Sequence, residues 1–179
     1  GLGNYIYNWT KDGSPFATTD DLSSLDAGQY ALVVEDTGTN ACSISETYVI
    51  NEPLALQVSL DSKTDILCNG DSTGAFNISV SGGTPFTGVA ADYQFNWVHD
   101  SGAIYITEDL SNIPAGTYDL TVTDANGCTE NFQATLTEPT AIVFNTTKTD
   151  ISCYGYDDGS ITINPTGGVT PYVLTWIYL

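Results

Sequence analysis

The chain of 179 residues sets 22 Asp and Glu against three lysines (Lys11, Lys63 and Lys148) and no arginine, for a net charge of −19. Displacing counterions from a phosphate backbone takes clustered Lys or Arg, so nucleic acid is excluded as a partner, and an anionic membrane surface would repel the chain. Apolar residues at 41%, with 11% aromatics, provide a core and exclude disorder, while charged residues at 14%, against roughly 25% in ordinary soluble domains, leave Thr, Ser and Asn to dress the surface.

The first element, Tyr5-Ile6-Tyr7-Asn8-Trp9, returns 88 residues later as Tyr93-Gln94-Phe95-Asn96-Trp97 and again, more loosely, as Tyr172-Val173-Leu174-Thr175-Trp176. The next, Asp21-Leu22-Ser23-Ser24-Leu25-Asp26-Ala27-Gly28-Gln29-Tyr30, matches Asp109 to Tyr118 at the same offset of 88. Glu52-Pro53 returns as Glu138-Pro139 after 86 residues, and Lys63-Thr64-Asp65-Ile66-Leu67-Cys68-Asn69-Gly70 returns from Lys148 to Gly155 after 85. Offsets change only in turns. Cys42 to Cys128 is 86, which makes the Thr37 to Ala41 turn two residues longer than Ala125 to Gly127. The repeating unit is therefore about 86 residues. With Glu-Pro as the boundary, residues 1–53 hold the back of one repeat, 54–139 a complete repeat and 140–179 the front of a third, so the chain reads as a fragment. No apolar run approaches the ~20 residues that cross a bilayer, and the N-terminus lacks the basic start of a signal peptide, so no membrane insertion is expected.

Within the complete repeat a strand is expected at Leu56 to Leu60. Another follows where Phe76, Ile78 and Val80 alternate with Asn77, Ser79 and Ser81, as a strand with one buried face requires. Ile161 and Ile163 keep that register in the third copy. Further strands are read at Tyr93 to Trp97, near Ile104 to Ile106, and at Tyr118, Leu120 and Val122, which alternate with polar residues. The last of these ends at Asp124-Ala125-Asn126-Gly127, whose Asn-Gly suits the positive φ angles of a tight hairpin, and a strand returns through Phe132, Ala134 and Leu136. No stretch has a helical apolar stripe. The expected fold is all-β, a tandem array of immunoglobulin or fibronectin III-like β-sandwiches. Tyr118, and Tyr30 in the preceding copy, stand where such sandwiches place a tyrosine that ties down a corner. The order Cys68, Trp97, Cys128 is similar to the Cys, Trp, Cys order of antibody domains, although these cysteines border their strands.

Taken in order, Cys-x-Gly-x-x-x-Gly (Cys68 to Gly74, Cys153 to Gly159), Gly-Gly-x-Pro (Gly82 to Pro85, with Gly167-Gly168 and Pro171), Tyr-x-x-x-Trp, Ala-Gly-x-Tyr, Val-Thr-Asp-Ala-Asn-Gly-Cys and Thr-Glu-Pro cover essentially the whole chain. Together they resemble the SprB-type repeat of gliding-bacterial surface adhesins. The resemblance implies an extracellular cell-surface filament, exported by the type IX route and moved during gliding, with the repeats as its shaft and neighbouring repeats as their partners. Surface polysaccharide or substratum would be met by other parts of the protein. The alternative is a carbohydrate-binding repeat that contacts glycans itself. Departures from the pattern are the Thr37 to Cys42 turn and the Thr87 to Ala91 insertion.

Four cysteines without CxxC spacing, beside a single histidine, point to disulfides over zinc. Cys68 with Cys128 would give every repeat one staple and leave Cys42 and Cys153 to partners outside the chain; Cys42 with Cys68 and Cys128 with Cys153 is the rival, and spacing does not decide between them. Asp71, Asp157 and Asp158, with Asp36 and Asp124, offer oxygen ligands suited to Ca²⁺, against the plainer reading of solvated turns; no other cofactor is implied. Trp9, Trp97 and Trp176 recur at one strand position, which suits core packing better than a sugar platform. Asn8, Asn77 and Asn145 begin N-glycosylation patterns, and Asp71-Ser72-Thr73 resembles an O-glycosylation site of bacteria with that secretion route. His99 is assigned to a loop and has no counterpart in the third repeat, so no acid, base or nucleophile set for catalysis is expected. A Lys-Asn isopeptide at Lys63 or Lys148 is weighed against an ordinary surface lysine, which is preferred.

Overall fold

A computed structural model describes residues 4–38, 42–87 and 92–177. Most of the Thr87 to Ala91 insertion and the end of the Thr37 to Ala41 turn lie outside the described residues. The described residues contain thirteen strands and no helix. They divide into two compact units, Gly1–Leu54 and Ala55–Leu179.

The second unit contains a closed sandwich. One sheet has the order β5 (Gln57–Thr64), β6 (Gly74–Ser81), β9 (Leu110–Ile113). The other has the order β11 (Thr129–Leu136), β10 (Gly116–Thr123), β7 (Gln94–His99), β8 (Ile104–Tyr105). All pairings are antiparallel. Three strands facing four, with sequential strands switching sheets, is an immunoglobulin-like β-sandwich of the fibronectin type III kind. Period-2 alternation makes it, because β10 turns Tyr118, Leu120 and Val122 inward and β6 turns Phe76 and Ile78 to meet them. Phe76 stacks on Trp97 across the two sheets with ring centroids 5.6 Å apart and meets Tyr118 edge-on at 5.4 Å. Those three side chains are fully buried.

Strand β9 lies outside the strands expected from alternation. Leu110 and Ile113 both point inward with two exposed residues between them, and Asn112 has a φ of 55°, so the segment bulges out of strict alternation. The turn after β10 also differs from a two-residue hairpin. Only Gly127 has a positive φ, 82°, and the Gly127 N–H donates to the Asp124 carbonyl at 3.1 Å, which gives a longer turn ending in a left-handed glycine. His99 is not in a loop: it ends β7, is buried, and its ring lies 4.5 Å from that of Tyr118.

Still within the second unit, β12 (Val143–Thr149) pairs with β13 (Ser160–Thr166), as β5 pairs with β6. The turns match as well. Gly82 and Gly83 have φ angles of 73° and 59°, and Gly167 and Gly168, 85 residues on, have 75° and 59°.

The first unit is one sheet in the order β2 (Ser14–Ala17), β1 (Tyr5–Lys11), β3 (Gly28–Asp36), β4 (Ser43–Ile50). It corresponds strand for strand to β8-β7-β10-β11. Trp9 faces Leu32 as Trp97 faces Leu120, and Tyr30 faces Tyr48 as Tyr118 faces Ala134. Trp9, Leu22, Leu25, Tyr30, Tyr48 and Ile50 gather on one face. No second sheet covers that face among the described residues of this unit, and Tyr48 and Ile50 are accordingly exposed.

Candidate functional site

In the closed sandwich the polar ties between loops concentrate at its two ends. At the end that receives the chain, the β6–β7 loop and the β10–β11 turn are knotted together by one carboxylate. Asp124, only 2% exposed, accepts the backbone N–H of Thr84 at 2.8 Å on one oxygen and those of Asn126 and Cys128 at 3.0 and 2.8 Å on the other. The Thr84 N–H foremost holds this carboxyl below the ordinary aspartate range. Ala125 N–H donates to the Thr84 carbonyl at 2.9 Å, and the Asn126 amide donates to the Thr84 hydroxyl at 2.9 Å.

At the opposite end the β5–β6 turn grips the departing chain. Asp65 accepts the Thr137 N–H at 2.7 Å, which holds its carboxyl low, and the Ile66 N–H donates to the Thr137 carbonyl at 3.0 Å. Lys63 is committed here, donating to the Thr135 carbonyl at 3.1 Å and pairing with Asp65 at 3.2 Å. Glu138 of the Glu-Pro boundary then accepts the Gly70 N–H at 2.7 Å and the Asn69 amide at 2.9 Å, and that amide also donates to the Pro139 carbonyl at 3.0 Å. Nothing in the local sequence announces this lock, because its partners are 68 to 70 residues apart.

The recurrent aromatics are the sandwich's internal ties. Trp97 is fully buried and its indole N–H donates to the Thr107 carbonyl at 3.1 Å; Trp9 makes the same bond to Thr19 at 3.0 Å. Tyr118 donates to the Pro114 carbonyl at 2.8 Å and Tyr30 to that of Asp26 at 2.9 Å, so the tyrosine corner occurs twice, 88 residues apart. Trp176 has no such cover among the described residues. It is 63% exposed, beside Lys148, Asp150 and Ile161, because no facing sheet covers β12 and β13 among the described residues.

The within-repeat disulfide has to be corrected. Cys128 directly precedes β11, whereas the turn carrying Cys68 packs beyond the far end of that strand, where Thr137 and Glu138 bond to Ile66 and Gly70. Eight strand residues separate them by about 25 Å, far from the roughly 4.4–6.8 Å between Cα atoms that a disulfide spans. Cys128 and Cys153 are not joined either, Cys153 lying past the end of β12 that is remote from residue 142; Cys42 and Cys68 belong to different units. All four cysteines are exposed.

Asp71, Asp157 and Asp158 are not assembled into a cation site, and no group of three His, Cys, Asp or Glu is placed to hold a metal among the described residues. Asp158 is engaged locally, its carboxylate accepting the Ser152 hydroxyl at 2.6 Å and the Ser152 N–H at 3.0 Å, which lowers its pKa. Ser72 is exposed in the β5–β6 turn; Asn77 lies on β6 with its amide donating to Ser62 at 2.8 Å; Asn8 lies on β1 and Asn145 is exposed on β12.

Two segments of the chain, residues 60–97 and 145–177, match the model of the SprB repeat family. They begin 85 residues apart, the offset of the Lys-Thr-Asp-Ile turns. These two segments are of the SprB repeat type. Each matched segment runs from the first strand pair of a repeat to its Tyr-x-x-x-Trp motif, so both include the β5–β6 type of turn and the Gly-Gly loop. The SprB repeat is a cell-surface adhesin type of repeat. No curated protein matches the chain. Among solved structures it is similar to the amphioxus IgVJ-C2 molecule, at 18% identity and a TM-score of 0.36 over 74% of this chain and 88% of that one. It is also similar to the structure of Dpr2 Ig1-Ig2 in complex with DIP-Theta Ig1-Ig3, at 10% identity and a TM-score of 0.34 over 82% of this chain and 65% of that one. The sandwich assignment rests on the strand order given above.

Proposed function

We propose that this chain is part of the shaft of a long extracellular adhesin, exported by the type IX route and used in surface attachment and gliding. In this reading residues 54–139 are a complete repeat, 1–53 the back of the one before and 140–179 the front of the one after. The observation that supports it is the grip of the sandwich in residues 54–139 on the chain leaving it. Glu138, immediately before Pro139, is held by Asn69 and Gly70 of its own sandwich, so the boundary is fixed on one side by hydrogen bonds and on the other by a residue with a set φ. A shaft has to transmit load between domains without slack, and such a boundary supplies that. The charge supports the same role: eleven acids against Lys63 on residues 54–139 discourage filaments from sticking to one another.

The test is in-frame deletion of whole repeats from the full-length protein. The filament should shorten in proportion to the repeats removed, with adhesion at its end retained. Binding of the isolated chain to a glycan array, lost when exposed Tyr154 and Tyr156 are changed to alanine, would replace the shaft reading with one in which the repeats themselves hold carbohydrate.

A further inference from the structure

The two kinds of cysteine in this array occupy opposite ends of the sandwich. Cys68 and Cys153 lie in the β5–β6 type of turn, at the end where the chain leaves; Cys42 and Cys128 lie in the β10–β11 type, at the end where it enters. Consecutive repeats joined end to end therefore bring unlike turns together. We infer that each junction is a disulfide site, in which the β5–β6-turn cysteine of one repeat bonds to the β10–β11-turn cysteine of the next.

The geometry behind this lies within the second unit. Cys68, with Leu67 and Asn69, lines a groove whose other walls include Pro139, Gly168 and Val169. Gly168 and Val169 belong to the Gly-Gly loop that follows β13, the counterpart of Gly83 and Thr84. In the complete repeat that loop is the seat of the β10–β11 turn: the Thr84 N–H binds Asp124, the Thr84 carbonyl accepts from Ala125, and the same Asp124 carboxylate holds the Cys128 N–H. The loop after β13 has the same two glycine φ angles to within 2°, and Tyr172 donates to Gly167 as Tyr93 donates to Gly82. A β10–β11 turn seated on Gly168 and Val169 in the same way carries its cysteine to the groove that Cys68 lines. The occupant of the groove is thus the next repeat's own turn, in a chain that continues the array.

Formation removes one proton from each thiol and joins the two sulfurs. The two electrons and two protons pass to the disulfide of an envelope thiol oxidoreductase, which becomes a dithiol. Cys153 follows Cys128 by 25 positions, and beyond each such stretch the next sulfur bridge would bypass more than a whole repeat. Load on the shaft would then travel through short segments and disulfides without unravelling a sandwich.

This inference rests on the tandem-array reading, not on adhesion. The test is peptide mapping of the full-length protein, taken from cells with open thiols alkylated at once and digested without reduction. The expected result is a Cys68 peptide linked to the β10–β11-turn peptide of the following repeat and alkylated only after reduction. Cys128→Ser should leave Cys68 crosslinked and open the β5–β6-turn cysteine of the preceding repeat. Cys68 recovered alkylated without reduction, linked to Cys128, or released by Cys128→Ser overturns the staple. If filaments of the same preparation still stand as regular arrays by electron microscopy, the shaft reading survives that failure; if no array is seen, the shaft reading fails whatever the thiols do.

Discussion

Tyr118→Phe isolates a single hydrogen bond in the middle of the sandwich. The ring keeps its edge contact with Phe76 and its packing against His99, and only the hydroxyl that donates to the Pro114 carbonyl at 2.8 Å is lost. The net worth of such a bond is about 1 kcal/mol, rising toward about 2 kcal/mol if the carbonyl finds no other donor. A domain of this size loses roughly 4–8 °C of melting temperature per kcal/mol, so calorimetry of the chain should show the main transition about 5–15 °C lower. The alkaline limb offers a second readout. Burial pushes the Tyr118 hydroxyl above the usual tyrosine range. The unfolded chain therefore ionises it first, and stability falls as the pH rises past about 10. The phenylalanine variant should lose stability less steeply over that range. Tyr156→Phe, at an exposed site, is the control and should change neither quantity. A Tyr118→Phe shift no larger than the control's would refute the corner as a tie.

Trp97→Ala should cost about 3–5 kcal/mol, enough to unfold much of a domain this small, while Trp176→Ala should stay within about 0.5 kcal/mol; urea midpoints of the two variants check the contrast. Asp124→Asn should loosen the β6–β7 and β10–β11 loops together and flatten the acid limb. Because the folded carboxyl is held below its usual value, its contribution is present above the ordinary aspartate range and is lost as the pH falls through the folded value, which denaturation profiles across acid pH would show. Glu138→Ala should leave the sandwich's melting temperature nearly unchanged yet raise amide exchange at Gly70, whose backbone N–H loses its acceptor, while the Asn69 side-chain amide keeps the Pro139 carbonyl.

Strict alternation made β6, β7, β10 and β11 legible in the sequence, since each has one face against the core and the other in water. Strand β9 escaped because Leu110 and Ile113 are three residues apart and the strand bulges between them. His99 looked like part of the Asp-Ser-Gly loop that follows it, and its burial depends on Tyr118, 19 residues away. The Asn-Gly pair suggested a tight hairpin because the pull of the Asp124 carboxylate on three backbone N–H groups leaves no trace in local propensity. Cysteine spacing was silent about which end of the sandwich each thiol occupies; strand register answers that, and register is a property of the fold. The internal repeat carried most of the rest, since the Trp-to-carbonyl bonds and tyrosine corners recur at the offset of 88 read from the sequence.

In the proposed shaft these sandwiches follow one another with fixed junctions. Cryo-electron microscopy of filaments of the full-length protein addresses it most directly. Eight-residue strands with their loops should give a bead about every 40 Å, with the angle between neighbouring beads narrowly distributed along the filament. Beads that pivot freely about each Glu-Pro boundary, or a spacing unrelated to one sandwich per repeat, would contradict it.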